Sequence, residues 1–220
     1  AQEPEWHPEG DVWTHTLQVV DEMRLRIDDL PRPKRVALML GAIAHDFGKP
    51  ATTAFADGRL RSLGHEEAGV EPARRFLDAL NVHTMEGYDV RAQVLGLVAH
   101  HLKPGAWRKS VTGVGDGAFR RLAQKVDLEL LARLAEADCQ GRRPGVFDCS
   151  AMAWFLERAR ALGVQHAAPP RLLLGRHLLA LGVAPGPYMG AVLNAVYERQ
   201  LDGDLTTVEI LSRCAGDGAS

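Results

Sequence analysis

The chain has 220 residues, 46% hydrophobic and 25% charged, with a formal net charge of -2. That balance suits a folded globular core and gives no general attraction to nucleic acid, so no specific DNA binding is expected. No apolar run reaches membrane-spanning length and residues 1–11 lack a basic, apolar leader pattern, so no membrane partner is expected.

Helical spacing of apolar residues predicts an all-α fold, with helices over 11–28, 35–47, 66–81, 88–102, 117–138, 150–163 and 187–201. A shorter helix is expected near 172–181. Breaks rich in Pro, Gly or Arg fall at 31–33, 57–64, 103–117, 141–147 and 167–170, and no stretch shows sustained β alternation. The break at AAPPR (167–171) divides the chain into an expected domain over 1–166 and a helical carboxy-terminal subdomain over 167–220. Cys139, Cys149 and Cys214 form no CxxC pair and leave an odd thiol, which predicts a reducing cytoplasm and argues against a Cys-ligated metal.

The histidines and acids fall at telling places along these helices. His15 lies four residues after Asp11 on one helical face. Residues 37–44 hold only Ala, Leu, Met, Gly and Ile, so this helix is apolar all round and belongs inside the protein. It ends on His45-Asp46, an ionisable pair that is costly to bury unless something compensates it. His65 opens a helix after Gly64, His101 extends the apolar series Val94, Leu97, Val98, and His100 flanks it. Asp138 continues the stripe Leu131, Leu134, Ala135.

Each of these residues alone has an ordinary explanation. A core histidine can bond a carbonyl, Asp138 can pair with Arg142, and Asp11 can cap a helix. Coordination of a divalent first-row ion explains the whole set at once. His15, His45, Asp46 and Asp138 suffice for one ion, which leaves His65 and His101 for a second. Two-metal hydrolytic sites hold their ions about 3.5–4 Å apart. Asp46 is the expected bridge, because the side chain of His45 points off about 100° around the helix.

The order His15, His45-Asp46, Asp138 resembles the ligand order of the HD superfamily of metal-dependent phosphohydrolases. HPEGDVWTHTLQVVDE, AIAHDFGKPATT, GHEEAG, LVAHHLKP and EADCQGR are similar to stretches of bacterial CCA-adding tRNA nucleotidyltransferases, in their HD and carboxy-terminal portions. The resemblance implies an HD-domain helical bundle with a small helical extension. It also implies two divalent ions (Mn, Fe, Ni, Co or Mg) and hydrolysis of phosphomonoesters, phosphodiesters or 2′,3′-cyclic phosphates of nucleotides or RNA ends. In that frame Lys49 and Arg142 reach phosphate oxygens, and His100 can protonate a leaving group. Lys49 reads equally as a surface lysine beyond a helix stop. Nothing in the chain matches a nucleotidyltransferase domain, so CCA addition is not expected of it. Pro72 departs from the pattern by interrupting a continuous helix after His65.

Two other readings stand beside hydrolysis. One is a non-catalytic module that binds tRNA or another RNA, and the other is a di-iron oxygenase. Residues 103–125 carry six basic residues against Asp116 alone, which reads either as a solvated face or as a phosphate-facing patch.

Overall fold

In the computed structural model, residues 2–5 and 7–205 are described; the end of the expected 167–220 subdomain, with Cys214, lies outside them. Helix α1 (Val12–Arg24) starts where the Asp11 carboxylate accepts a hydrogen bond from Thr14 N at 2.8 Å. Asp11 is thus an exposed cap and not a site residue. Helix α2 (Arg32–Ala44) places Pro33 in its first turn, where no N–H is needed, and buries Ala37, Leu38, Gly41, Ala42 and Ala44. Helix α6 (Val90–His100) is capped by Asp89 and buries Val94, Leu97 and Val98. Helix α9 (Leu128–Gln140) is capped by Asp127, which accepts from Glu129 N and Leu130 N and pairs with Lys34 at 2.8 Å.

These four helices pack together around the main core, in which Val19, Met23, Leu38, Leu97, Leu131 and Leu134 are buried. Gly41 lets α2 approach α6 closely, since a Cβ there would lie 3.0 Å from Leu97 Cδ1. The expected helix over 66–81 is in fact two, α4 (His65–Ala68) and α5 (Val70–Ala79). The break falls at Gly69, and Pro72 sits in the first turn of α5, where helices tolerate it. The span 117–138 is likewise split, into α8 (Asp116–Leu122) and α9, because Asp127 opens a new helix. The break expected at 103–117 contains α7 (Lys103–Arg108), whose Trp107 packs edge-on against Phe119 with ring centroids 4.9 Å apart.

Two small antiparallel hairpins qualify the all-α expectation. β1 (Thr53–Ala56) pairs with β2 (Arg59–Ser62) through Asp57-Gly58, both at positive φ, which is the Asp-Gly hairpin signal. β3 (Thr84–Met85) and β4 (Tyr88–Asp89) pair around Glu86-Gly87. The chain continues through the one-turn α3 (Lys49–Thr52), then α10 (Ser150–Ala161), α11 (Gly175–Ala180) and α12 (Pro187–Asp202) in order. Leu173, Leu178 and Leu205 form a separate small apolar cluster.

Two of the six basic residues in the stretch 103–125 hold α12. Arg121 pairs with Glu198 at 2.8 Å and with Asp202 at 2.7 Å, while Arg120 donates to Leu201 O at 2.8 Å. Lys103 and Arg108 lie over the rings of Trp107 and Trp154. The expectation of a reducing setting loses its support from the cysteines, because Cys139 and Cys149 are joined in a disulfide with Cα atoms 6.0 Å apart. Such bridges persist in oxidising surroundings, so cysteine usage gives no support for a reducing compartment. Among the described residues, no helix is long and apolar enough to cross a membrane.

Candidate metal centre

His45 follows the last residue of α2, His101 follows α6, His65 opens α4, His15 lies in the first turns of α1 and Asp138 in the last turns of α9. Helix packing turns these five positions and Asp46 toward one another, and all six are buried. Three of the histidines fix their rings in the same way. Nδ1 donates to the carbonyl three residues earlier, Ala42 for His45 at 2.8 Å, Ser62 for His65 at 2.7 Å and Val98 for His101 at 2.9 Å. Each Nε2 is thereby left facing inward.

Asp46 stands between two groups of these nitrogens. Its Oδ1 lies 3.3 Å from His65 Nε2 and 3.9 Å from His101 Nε2. Its Oδ2 lies 3.2 Å from His45 Nε2 and 3.8 Å from His15 Nε2. His15 Nε2 is also 3.0 Å from Asp138 Oδ1, so both carboxylates meet at one ring nitrogen. His15, His45 and Asp46 make one set of converging ligand atoms, and Asp46, His65 and His101 a second.

Electrostatics follow from burial and charge. Burial works against ionisation of Asp46 and Asp138. Nevertheless His45 beside Asp46, and Arg142 beside Asp138 together with the hydrogen bond from His15, hold both well below the usual carboxylate range. Burial, then the charge of His45, pushes His101 down to about 4. For His15 burial is outweighed by Asp138 and Glu9, which raise it to about 9.

Do these groups fit a metal? Nε2 of His65 and Nε2 of His101 are 3.1 Å apart while both Nδ1 atoms are spent on carbonyls, so a proton or a cation must lie between two lone pairs. His45 Nε2 is buried with no hydrogen-bond partner. Imidazole nitrogens with carboxylate oxygens are a donor set for divalent first-row ions. They fit.

A cavity of about 210 Å³ opens over the centre, and Asp46, Lys49, His65, His101, Asp138 and Arg142 all reach its wall. Lys49 is only 6% exposed, which rules out the surface-lysine reading; its Nζ lies 2.8 Å from Asp46 Oδ2. Arg142 is 3.7 Å from Asp138 and sits on the loop closed by the Cys139–Cys149 bridge. His100 is not part of this wall; burial, with Lys103 and Lys125, brings it to about 4. Periodicity gave no sign of the segment before α1. Gln2, Glu3 and His7 also line the cavity, and Gln2 accepts a hydrogen bond from Lys49. The only sequence signal was a His-Pro-Glu run ahead of His15, outside any helical stripe.

The chain is similar to curated proteins along most of its length. The A-adding tRNA nucleotidyltransferase of Deinococcus radiodurans is 31% identical over 207 residues, which is 90% of this chain and 44% of that protein. The CC-adding tRNA nucleotidyltransferase of Thermus thermophilus is 33% identical over 203 residues, 90% of this chain and 42% of that protein. The chain therefore spans less than half the length of these curated relatives. No solved structure matches it. The HD domain model matches residues 12–139, more than half of the chain and a span within which the six converging residues fall, and the chain belongs to the HD domain family of the metal-dependent phosphohydrolase superfamily.

Proposed function

We propose that this chain is a two-ion phosphohydrolase acting on phosphomonoesters or phosphodiesters, including 2′,3′-cyclic phosphates, of nucleotides or RNA ends. The observation that carries the reading is Asp46, whose two oxygens face two separate pairs of histidines. In this reading His15, His45 and Asp138 would hold one ion and His65 and His101 the other, with Asp46 common to both. Divalent ions held there would supply an activated water near neutral pH and offset phosphate charge. Lys49 Nζ binds a non-bridging oxygen as a point charge, and Arg142 binds one with its planar fork. His100 has no place at the cavity wall, so no proton transfer is assigned to it.

RNA as the substrate class is supported by the names of the two tRNA-modifying relatives. The same names favour a second reading, a module that binds tRNA without catalysis. Metal analysis of the purified protein with a panel of phosphomonoesters, phosphodiesters and cyclic phosphates separates the two. Bound divalent metal and metal-dependent turnover support hydrolysis; tRNA binding with neither supports the module.

Lys49→Ala tests the assignment of charge. Removing one group that stabilises developing charge costs about 100-fold in turnover. The variant is expected to keep its metal content by mass spectrometry, since Lys49 supplies no ligand. Loss of metal together with activity would place Lys49 among the groups that build the centre.

A further inference from the structure

His15 breaks the rule that the other three histidines follow. The carbonyl three residues before it, Val12 O, already accepts the Thr16 hydroxyl at 2.8 Å. Nδ1 of His15 instead lies 2.8 Å from Oε1 of Glu9. The Glu9 side chain has no exposed surface, and the same Oε1 accepts from Nδ1 of His7 at 2.8 Å. Glu9 Oε2 is buried with no hydrogen-bond partner, so the two imidazole nitrogens at Oε1 are the polar groups that face this carboxylate. A buried carboxylate is costly unless N–H groups hold it.

The segment bearing Glu9 is pinned from both sides. Gln2 N donates to Gly10 O at 3.2 Å and His7 N to Glu3 O at 2.9 Å. Glu3 accepts from Leu60 N at 2.8 Å, which ties the segment to β2.

We infer that Glu9 is a positioning residue of the metal centre, holding the Nδ1 proton of His15 so that Nε2 is presented as a ligand. The inference rests on the metal-centre reading proposed above. A carboxylate is a stronger acceptor than the backbone carbonyls behind His45, His65 and His101, so the Nδ1 proton of His15 is held the more firmly. Partners behind a ligating histidine typically change metal affinity by about 10–100-fold. None of this requires Glu9 to touch the substrate.

The test is a Co²⁺ titration of chelator-treated protein, followed by the visible absorption of the bound ion. Glu9→Ala is expected to weaken Co²⁺ binding by about 10–100-fold and to alter the absorption spectrum. Glu9→Gln, which keeps the shape and an acceptor oxygen, is expected to recover most of that loss. Asp11→Ala removes the exposed cap that opens α1, two residues from Glu9, without touching a histidine, and is expected to bind Co²⁺ as the parent does. Equal affinity of Glu9→Ala and parent would overturn the inference, and so would an equal loss in Asp11→Ala. A parent protein that binds no Co²⁺ would instead bring down the metal-centre reading, and the role of Glu9 with it.

Discussion

Asp46→Ala is expected to lose bound metal and to lose turnover on the best phosphate ester by more than about 100-fold. Loss of a partner behind a ligand costs about 10–100-fold, and Asp46 lies in both sets of converging atoms. No other residue of the centre has that position. Asp138 meets only the His15 side, while His65 and His101 meet only Oδ1. The variant is expected to stay folded by circular dichroism, because residues 37–44 pack through apolar contacts with α6 and α9 that Asp46 does not make. Its melting temperature should no longer rise on adding metal, since that rise reflects binding to the native state. Asp46→Asn, of nearly equal volume, separates loss of charge from loss of packing. Turnover by Asp46→Ala equal to the parent's would refute the phosphohydrolase reading.

Gly48→Ala is expected to cost about 3 kcal/mol, the upper end of the usual penalty for overpacking. Gly48 has ordinary helical angles, φ -81 and ψ -20, so backbone strain is not the reason. Space is. A Cβ there would lie 2.0 Å from His65 O and 2.7 Å from Gly69 N. Both are backbone atoms and cannot turn aside as a side chain would. Relief requires α4 to move off α3, which carries His65 away from Asp46 and links the stability loss to the metal centre. Thermal unfolding is expected to shift down by roughly 6–12 °C for a chain of this size. A melt indistinguishable from the parent's would show that α3 and α4 do not depend on this contact.

How much of this could be read before the structure was known? The buried helix 37–44 and the stripe of α9 were legible, because periodicity records which face avoids water, and a His or Asp on such a face stands out. Those anomalies led to His45-Asp46, His101 and Asp138, while His15 was read from the face it shares with Asp11 and His65 from its place at a helix start. Helix boundaries were less legible. Asp127 and Gly69 end or begin helices through local hydrogen bonds and close packing, and a hydrophobic pattern does not register them. The β1–β2 hairpin was signalled by Asp57-Gly58, but its strands are only four residues each, too short for alternation to show.

The residues missed at the site have a common cause. Gln2, Glu3, His7 and Glu9 reach the centre from an irregular segment, where position follows from tertiary hydrogen bonds and from no repeat. Lys49 was open to two readings because sequence gives no depth; its burial between Asp46 and Gln2 removes the surface reading. The disulfide was invisible for the same reason, as ten residues of separation do not reveal that two thiols meet.

The central claim is a pair of ions sharing Asp46, and anomalous X-ray scattering from crystals grown with Mn²⁺ tests it most directly. The account predicts two peaks about 3.5–4 Å apart, one on each side of the Asp46 carboxylate. The first peak should fall among His15, His45 and Asp138, and the second between His65 and His101. A single peak, or manganese bound away from Asp46, would contradict it.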